Sequence, residues 1–245
     1  VAIIGRLFIH PIKALPPVRV PEVRVLASGA LEGDRRFALL DAEGRFVNGK
    51  HTPSIHLLRP TYDLAAGEVT FDGRTFSLAA DGDAIAAWCG NRLGQPITWS
   101  EDREVGFPDD LVSPGPTFVG SASIAVVASW FGFDAPATRL RFRTNIEVDG
   151  VEAFWEDRLY GSPVRMGAVT LDAVNPCARC IVPSRDAVTG ESLSGFQKRF
   201  SEMRRATLLA DAVSAPFDHF YRFTVNTRVL PAEAGKTIRI GDPVS

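Results

Sequence analysis

A chain of 245 residues, of which 45% are hydrophobic, 23% charged and 9% aromatic, holds enough apolar material for a sizeable core, which excludes a disordered or collagen-like chain. A formal net charge of -2 leaves no overall basic field, so neither nucleic acid nor an anionic membrane is an expected partner. Three cysteines are too few for a disulfide framework or a four-cysteine zinc or iron–sulfur centre, and a reducing cytoplasm is the expected location.

The opening stretch, residues 1–9, is broken by Gly5 and Arg6 and lacks a small-residue cleavage site, so no targeting segment is expected there. To about Trp99 the apolar runs are short and β-branched (18–20, 23–25, 68–71 and 74–78), each bounded by Gly, Pro or Asp, and this half reads as β-rich. Asp72-Gly73 supplies the positive φ values of a two-residue hairpin turn. Residues 83–93, with Ile85, Trp88, Cys89 and Leu93 near helical spacing, read as a helix with Cys89 in its apolar stripe. Residues 101–116 turn polar and then Pro/Gly-rich, the pattern of a boundary or long connecting loop. A helix is expected over 121–130 with Ser121 as its cap, and another over 194–203. Strands are expected over 141–148, 168–174, 220–225 and 237–240. Strands with scattered helices and no βαβ alternation argue for an all-β or α+β arrangement of barrels.

Residues 44–50 match the spacing of a phosphate loop, but His51 stands where Ser or Thr should ligate magnesium and Pro53 forbids the helix that should follow; a hairpin around Glu43-Gly44 is the expected structure. The four histidines, His10, His51, His56 and His219, are dispersed and are not read as metal ligands. Cys177-Ala178-Arg179-Cys180 fits a redox dithiol, half a zinc site, a single metal-ligating thiolate beside a second sulfur, or two inert buried thiols. A set of cations near predicted turns (Lys13, Arg35, Arg36, Lys50, Arg139, Arg141 and Arg143, with Asn145) could enclose one compact polyanion.

Seven blocks, in order, carry a family resemblance: Ile9-His10-Pro11-Ile12-Lys13; Gly33-Asp34-Arg35-Arg36-Phe37-Ala38-Leu39; Phe46-Val47-Asn48-Gly49-Lys50 with Pro53; Ser121-Ala122-Ser123-Ile124; Arg141-Phe142-Arg143-Thr144-Asn145-Ile146; Cys177-Ala178-Arg179-Cys180 followed by Asp186 to Gly190; and Ile238 through Gly241-Asp242-Pro243-Val244. The sequence resembles the MOSC superfamily, in the branch with an N-terminal MOSC β-barrel domain that includes the amidoxime-reducing components. The resemblance implies a β-rich α+β fold: a MOSC β-barrel core over 106–245, an N-terminal β-barrel-like domain over 1–105, a few peripheral helices, and a cofactor between the two domains. It implies a molybdenum pyranopterin cofactor, with Cys180 as the metal-ligating and catalytic thiolate, Cys177 nearby without ligating, and Lys13, Arg36, Arg143 and Asn145 contacting the cofactor. Ala14, Asn48 and Thr144 depart from the family's usual serine, threonine and proline.

The activity so implied is reduction of small N-hydroxylated or N-oxygenated compounds by oxygen-atom transfer; the alternative is a non-catalytic carrier of cofactor or sulfur. A monomer is expected. With no dinucleotide fingerprint and no ligands for a ferredoxin-type cluster, and with the chain ending at Ser245 soon after the last block, electrons are expected from a separate donor protein.

Overall fold

A computed structural model describes residues 1–245 as fourteen strands and four α-helices. In the first half these are β1 (Ile3–Ile9), β2 (Val18–Arg19), β3 (Glu22–Arg24), β4 (Phe37–Leu40), β5 (Thr61–Asp63), β6 (Glu68–Phe71), β7 (Arg74–Ser77), α1 (Gly82–Leu93) and β8 (Thr98–Glu101). The second half adds β9 (Phe118–Gly120), α2 (Ser121–Phe131), α3 (Ala135–Phe142), β10 (Ile146–Asp149), β11 (Pro163–Met166), β12 (Val169–Ala178), α4 (Phe196–Ala206), β13 (Arg222–Val229) and β14 (Thr237–Arg239).

Seven strands form one sheet in the order β11-β12-β13-β9-β10-β1-β2. Bridges Ile3↔Pro243 and Met166↔Val244 place the C-terminal residues between β1 and β11, so the sheet curls and closes. Alternate residues point inward: Ile4, Leu7 and Ile9 from β1, Val169, Leu171 and Ala173 from β12, and Val225 and Val229 from β13, all in one core of 20 buried side chains. Each large one contributes about 1.5–3 kcal/mol of hydrophobic stabilisation. A bulge between Ile4 and Arg6 fits β1 to β10, and at Gly5 a Cβ would lie 2.1 Å from the Asp149 carboxylate, which would have to move to admit it.

A second core, built from Phe37 and Leu39 of β4, the β5-β6-β7 meander and Ile85 and Cys89 of α1, belongs to the first half alone. A third is mostly aromatic and packs α2, α3 and α4 around Trp130, Phe142, Phe196 and Phe200. The first residues of the chain do not stay within 1–105. β1 and β2 lie in the large sheet and β3 pairs with β14, so the two halves share strands as well as a border.

The structure differs from the sequence reading at two points that matter for the site. Residues 141–148 are not one strand: Asp134 accepts from the Ala137 N–H at 2.7 Å, Pro136 occupies the first turn, and the helix so started runs through Phe142. Arg143, with φ +55°, then ends it by donating its N–H to the Arg139 carbonyl, and the strand begins only at Ile146. Ser121 does not cap α2; Gly120 holds that position and the Ser121 hydroxyl donates to Asp149. The helices at 83–93 and 194–203 are present as α1 and α4, the Asp72-Gly73 hairpin joins β6 to β7, and residues 44–50 form the far side of a hairpin with no phosphate-loop helix. No helix is long and apolar enough to cross a membrane.

Candidate functional site

A cavity of about 550 Å³ opens where the second core meets the end of the barrel. Its walls come from Lys13, Ala14, Asp34, Arg35 and residues 48–50 on one side, and from the 105–117 segment, the end of α3 and residues 177–183 on the other. The segment read as a linker carries no helix or strand between Glu101 and Phe118, and it is itself a wall. It is anchored to the barrel at Gly115, whose N–H donates to the Thr227 carbonyl and where a Cβ would lie 2.5 Å from the Thr227 hydroxyl.

Six cationic side chains line the cavity (Lys13, Arg35, Lys50, Arg141, Arg143 and Arg179) against three carboxylates (Asp34, Asp109 and Asp110). The excess is positive. Lys13 is 6% exposed, and its Nζ donates to the Phe107 carbonyl (2.8 Å) and to Asp109 (2.6 Å). Burial pulls its pKa down more than Asp109 raises it. Arg35 pairs with Asp34 beside it; burial works against the Asp34 carboxylate, but the Arg35 and His10 side chains hold it well below the usual carboxylate range. His10, fully buried, is pushed down to about 3 by burial and by Arg143 and so stays neutral.

Arg143 has no carboxylate within ion-pair distance. Its Nη1 reaches the Ala14 carbonyl at 3.4 Å, its buried Nη2 has no partner, and burial together with Arg35 pushes it down to about 10. Three of the six non-glycine residues with positive φ, Ala14, Arg35 and Arg143, line this cavity. Backbone strain of about 1–3 kcal/mol per residue is therefore concentrated where the cations converge.

The cysteines arrive on β12. Register shifts around Asn175 and Pro176 break its ladder with β13, as expected where proline removes an N–H, and they turn the end of the strand toward the cavity. Cys177 accepts from Arg179 Nη1 at 3.0 Å. Cys180 lies two residues beyond the strand, half-buried like Cys177 and ahead of the 3-10 turn Val182–Ser184. Cys89, read as a core residue, is fully buried in the second core, and burial pushes its thiol up to about 12.

Of the site residues read from the sequence, the structure brings Lys13, Arg143, Asn145, Cys177 and Cys180 together around this one cavity. Arg36 is not there. It points out to pair with Glu101 and lies over the Phe37 ring, because successive residues entering a strand face opposite ways; Arg35 takes the inward place. Arg139 is likewise turned away, held by Glu147. Asn145 lines the cavity, but its amide is committed to the barrel: Oδ1 accepts from the Thr117 N–H and Nδ2 donates to the Phe8 carbonyl. The sequence reading gave no role to Arg179 or Asp34, although both sit inside motifs it quoted, and it treated Asp109 only as part of a linker.

This combination of a closed barrel, a strand-borne C-x-x-C and a cation-lined cavity belongs to a defined class. Residues 1–75 match the MOSC N-terminal beta barrel domain and residues 117–245 match the MOSC domain, so the chain belongs to the MOSC family. It is similar to mitochondrial amidoxime-reducing component 1 of Danio rerio, 24% identical over 238 residues that cover 78% of this chain and 70% of that protein. The Homo sapiens protein of the same name is also 24% identical, over 78% of this chain and 68% of its own length. Among solved structures, the YuaD protein from Bacillus subtilis superposes with a TM-score of 0.42 at 13% identity, covering 99% of this chain and 93% of that one.

Proposed function

We propose that this cavity holds a molybdenum pyranopterin cofactor and that the protein reduces N-hydroxylated or related N-oxygenated compounds. The observation that carries the reading is the buried, unpartnered Nη2 of Arg143 in a cavity with three more cations than carboxylates and two thiols on its wall. A phosphate-bearing group with a sulfur-ligated metal fits that donor set: guanidinium and ammonium groups for the anion, a soft thiolate for the metal. A volume of about 550 Å³ lies within the usual range for small-molecule sites. The names of the relatives support the reductase part of the proposal.

In this reading Cys180 is the metal-ligating thiolate, and Arg143 and Lys13, with Arg35 in place of Arg36, hold the anionic end. Bound there, the cofactor supplies two-electron chemistry at the substrate N–O bond. The protein's share is to hold and orient. The cations fix the anion by charge-assisted bonds, and the 105–117 wall narrows the approach. Reduction of R–NHOH to R–NH2 consumes two electrons and two protons and releases water, so an electron-donor protein has to deliver the electrons.

Metal and pterin analysis of the purified protein, combined with an N-hydroxy-compound assay driven by reduced viologen, tests this. Stoichiometric molybdenum with turnover is the expected result. Cys180→Ser should lose the metal while remaining folded, and Cys177→Ser should keep most of it. Molybdenum without turnover across a broad substrate panel would leave a carrier, and retention of metal by Cys180→Ser would move the ligand elsewhere.

A further inference from the structure

Two more of the cavity's arginines flank Cys180 with their guanidinium groups bonded to the protein itself, and both are tied to the last turn of α3. Arg179, immediately before Cys180, donates its backbone N–H to the Tyr221 carbonyl (3.0 Å) and its Nη2 to the Phe142 carbonyl (2.7 Å). A guanidinium on the final carbonyls of a helix is favoured by the helix dipole, and this one also lies over the Phe142 ring at 5.4 Å. Arg141 crosses the other way. It is 5% exposed, lies 4.2 Å from the Phe133 ring centroid, donates Nη1 to the carbonyls of Pro183 (3.3 Å) and Arg185, and pairs Nη2 with Asp186 at 3.2 Å. Between these anchors the chain makes a tight turn: the Ser184 N–H and hydroxyl both donate to the Ile181 carbonyl, and the Arg185 N–H donates to Val182.

We infer that Arg141 and Arg179 are reciprocal positioning residues, a clamp between the end of α3 and the segment 179–186 that fixes where the Cys180 thiol stands on the cavity wall. The inference rests on the reading of Cys180 as the functional thiol, but the fixing belongs to the chain and exists without any cofactor. Without Arg141, residues 181–186 keep the bonds of their own turn, the Arg185 Nε bond to the Gly49 carbonyl and the pairing of 184–186 with 191–193, but lose their side-chain bonds to α3, and a segment that loses such ties opens locally at lower cost. The clamp ends on the helix whose next residue, Arg143, faces the cavity, so one helix terminus sets both the thiol and the cation. Arg suits this role because its planar fork meets several acceptors at once, which an ammonium group on a flexible stem does not.

The three cysteines make the test internal. The full chain, prepared without molybdenum, is treated with iodoacetamide, and each site is followed by peptide mass spectrometry. Cys89 reports global unfolding, Cys177 the end of β12, and Cys180 the clamp. In Arg141→Met, Cys180 should be alkylated about threefold faster or more, with Cys177 unchanged and Cys89 unlabelled. Arg141→Lys should fall between this variant and the parent, a partial rescue by the conserved charge. An unchanged Cys180 rate with Cys89 silent overturns the inference, and so does an equal rise at Cys177 and Cys180, which would make Arg141 a support of the whole strand end. If Arg141→Met unfolds and labels Cys89, Arg141→Lys decides by the same two criteria. Molybdenum content and the electron paramagnetic resonance signal of the loaded protein form a separate arm. The signal should shift in Arg141→Lys, and a parent without molybdenum would overturn the cofactor reading while the alkylation result stands by itself.

Discussion

Arg204 and Arg143 are both arginines whose guanidinium groups lie in the interior of the second half of the chain, and the protein treats them in opposite ways. Arg204, 1% exposed, is sandwiched between the rings of Phe154 (4.4 Å) and Phe217 (5.0 Å) and gives both bonds of one Nη2 to Asp157, which also accepts from the Tyr160 hydroxyl at 3.0 Å. Both groups leave buried nitrogens unbonded, Nε and Nη1 in Arg204 and Nη2 in Arg143, but Arg143 has only a carbonyl at 3.4 Å and another arginine as its neighbour, with no carboxylate in ion-pair reach. A buried cation matched by its own carboxylate is scaffold, and a buried cation left unmatched beside a cavity is a place for an anion from outside. Burial alone does not separate the two; the charge balance of the surroundings does.

The comparison breaks first at Asp157. Replacing it with Ala leaves Arg204 buried and unpaired, a change worth about 3–5 kcal/mol, and the denaturation midpoint should fall accordingly. A loss below about 1 kcal/mol would mean that water reaches Arg204 and that the pair is not closed.

The next largest effect comes from the neighbour of that pair. Glu156, 1% exposed, is pushed up from its ordinary 4.5 to about 7, chiefly by burial. Its Oε2 accepts from the Ser123 hydroxyl at 3.0 Å, while Oε1 has no partner. Below pH 4.5 the group is protonated in both folded and unfolded chains and contributes nothing. As pH rises toward 7 the unfolded chain releases its proton while the folded one keeps it, so stability is lost at about 1.4 kcal/mol per pH unit, about 3 kcal/mol in all. Glu156→Gln, which mimics the protonated form, should remove that slope. The difference between the two proteins' unfolding free energies from pH 4.5 to 7.5 isolates it from His10, which acts in the opposite sense below its ordinary 6.5.

Arg143→Met sharpens the other side of the comparison. Removing an unmatched buried charge should leave the cofactor-free protein as stable as the parent or about 1–2 kcal/mol more stable, while pterin and molybdenum content after dialysis falls. Destabilisation of the cofactor-free protein would place Arg143 with Arg204 as scaffold. The smallest effect is expected at Arg36, which is part-exposed and paired with Glu101. Arg36→Ala should cost no more than about 1 kcal/mol and leave cofactor content unchanged; a loss of cofactor would restore Arg36 to the site and displace Arg35.

Much of this was legible in the sequence, because it depends on local pattern. Alternating β-branched runs with Asp-Gly turns predicted the β-rich architecture, and helical spacing found α1, α2 and α4 within a few residues. The ordered blocks predicted the family and assembled Lys13, Arg143, Asn145 and both cysteines around one cavity. The tertiary structure decided what those patterns do not encode. Whether Arg35 or Arg36 faces inward depends on the phase in which the chain enters β4, set by residues distant in sequence, whereas the helix through 141–142 carries a local signal, the Asp134 cap with Pro136, that the β-branched pattern of the following residues outweighed in the sequence. A linker by composition became a cavity wall because Lys13 and Thr227 hold it there. The pairing of each buried charge was decided in the same way. An arginine reads alike in any sequence, and only the positions of the carboxylates around it, brought close by folding, separate the scaffold cation Arg204 from Arg143, the one left for a ligand.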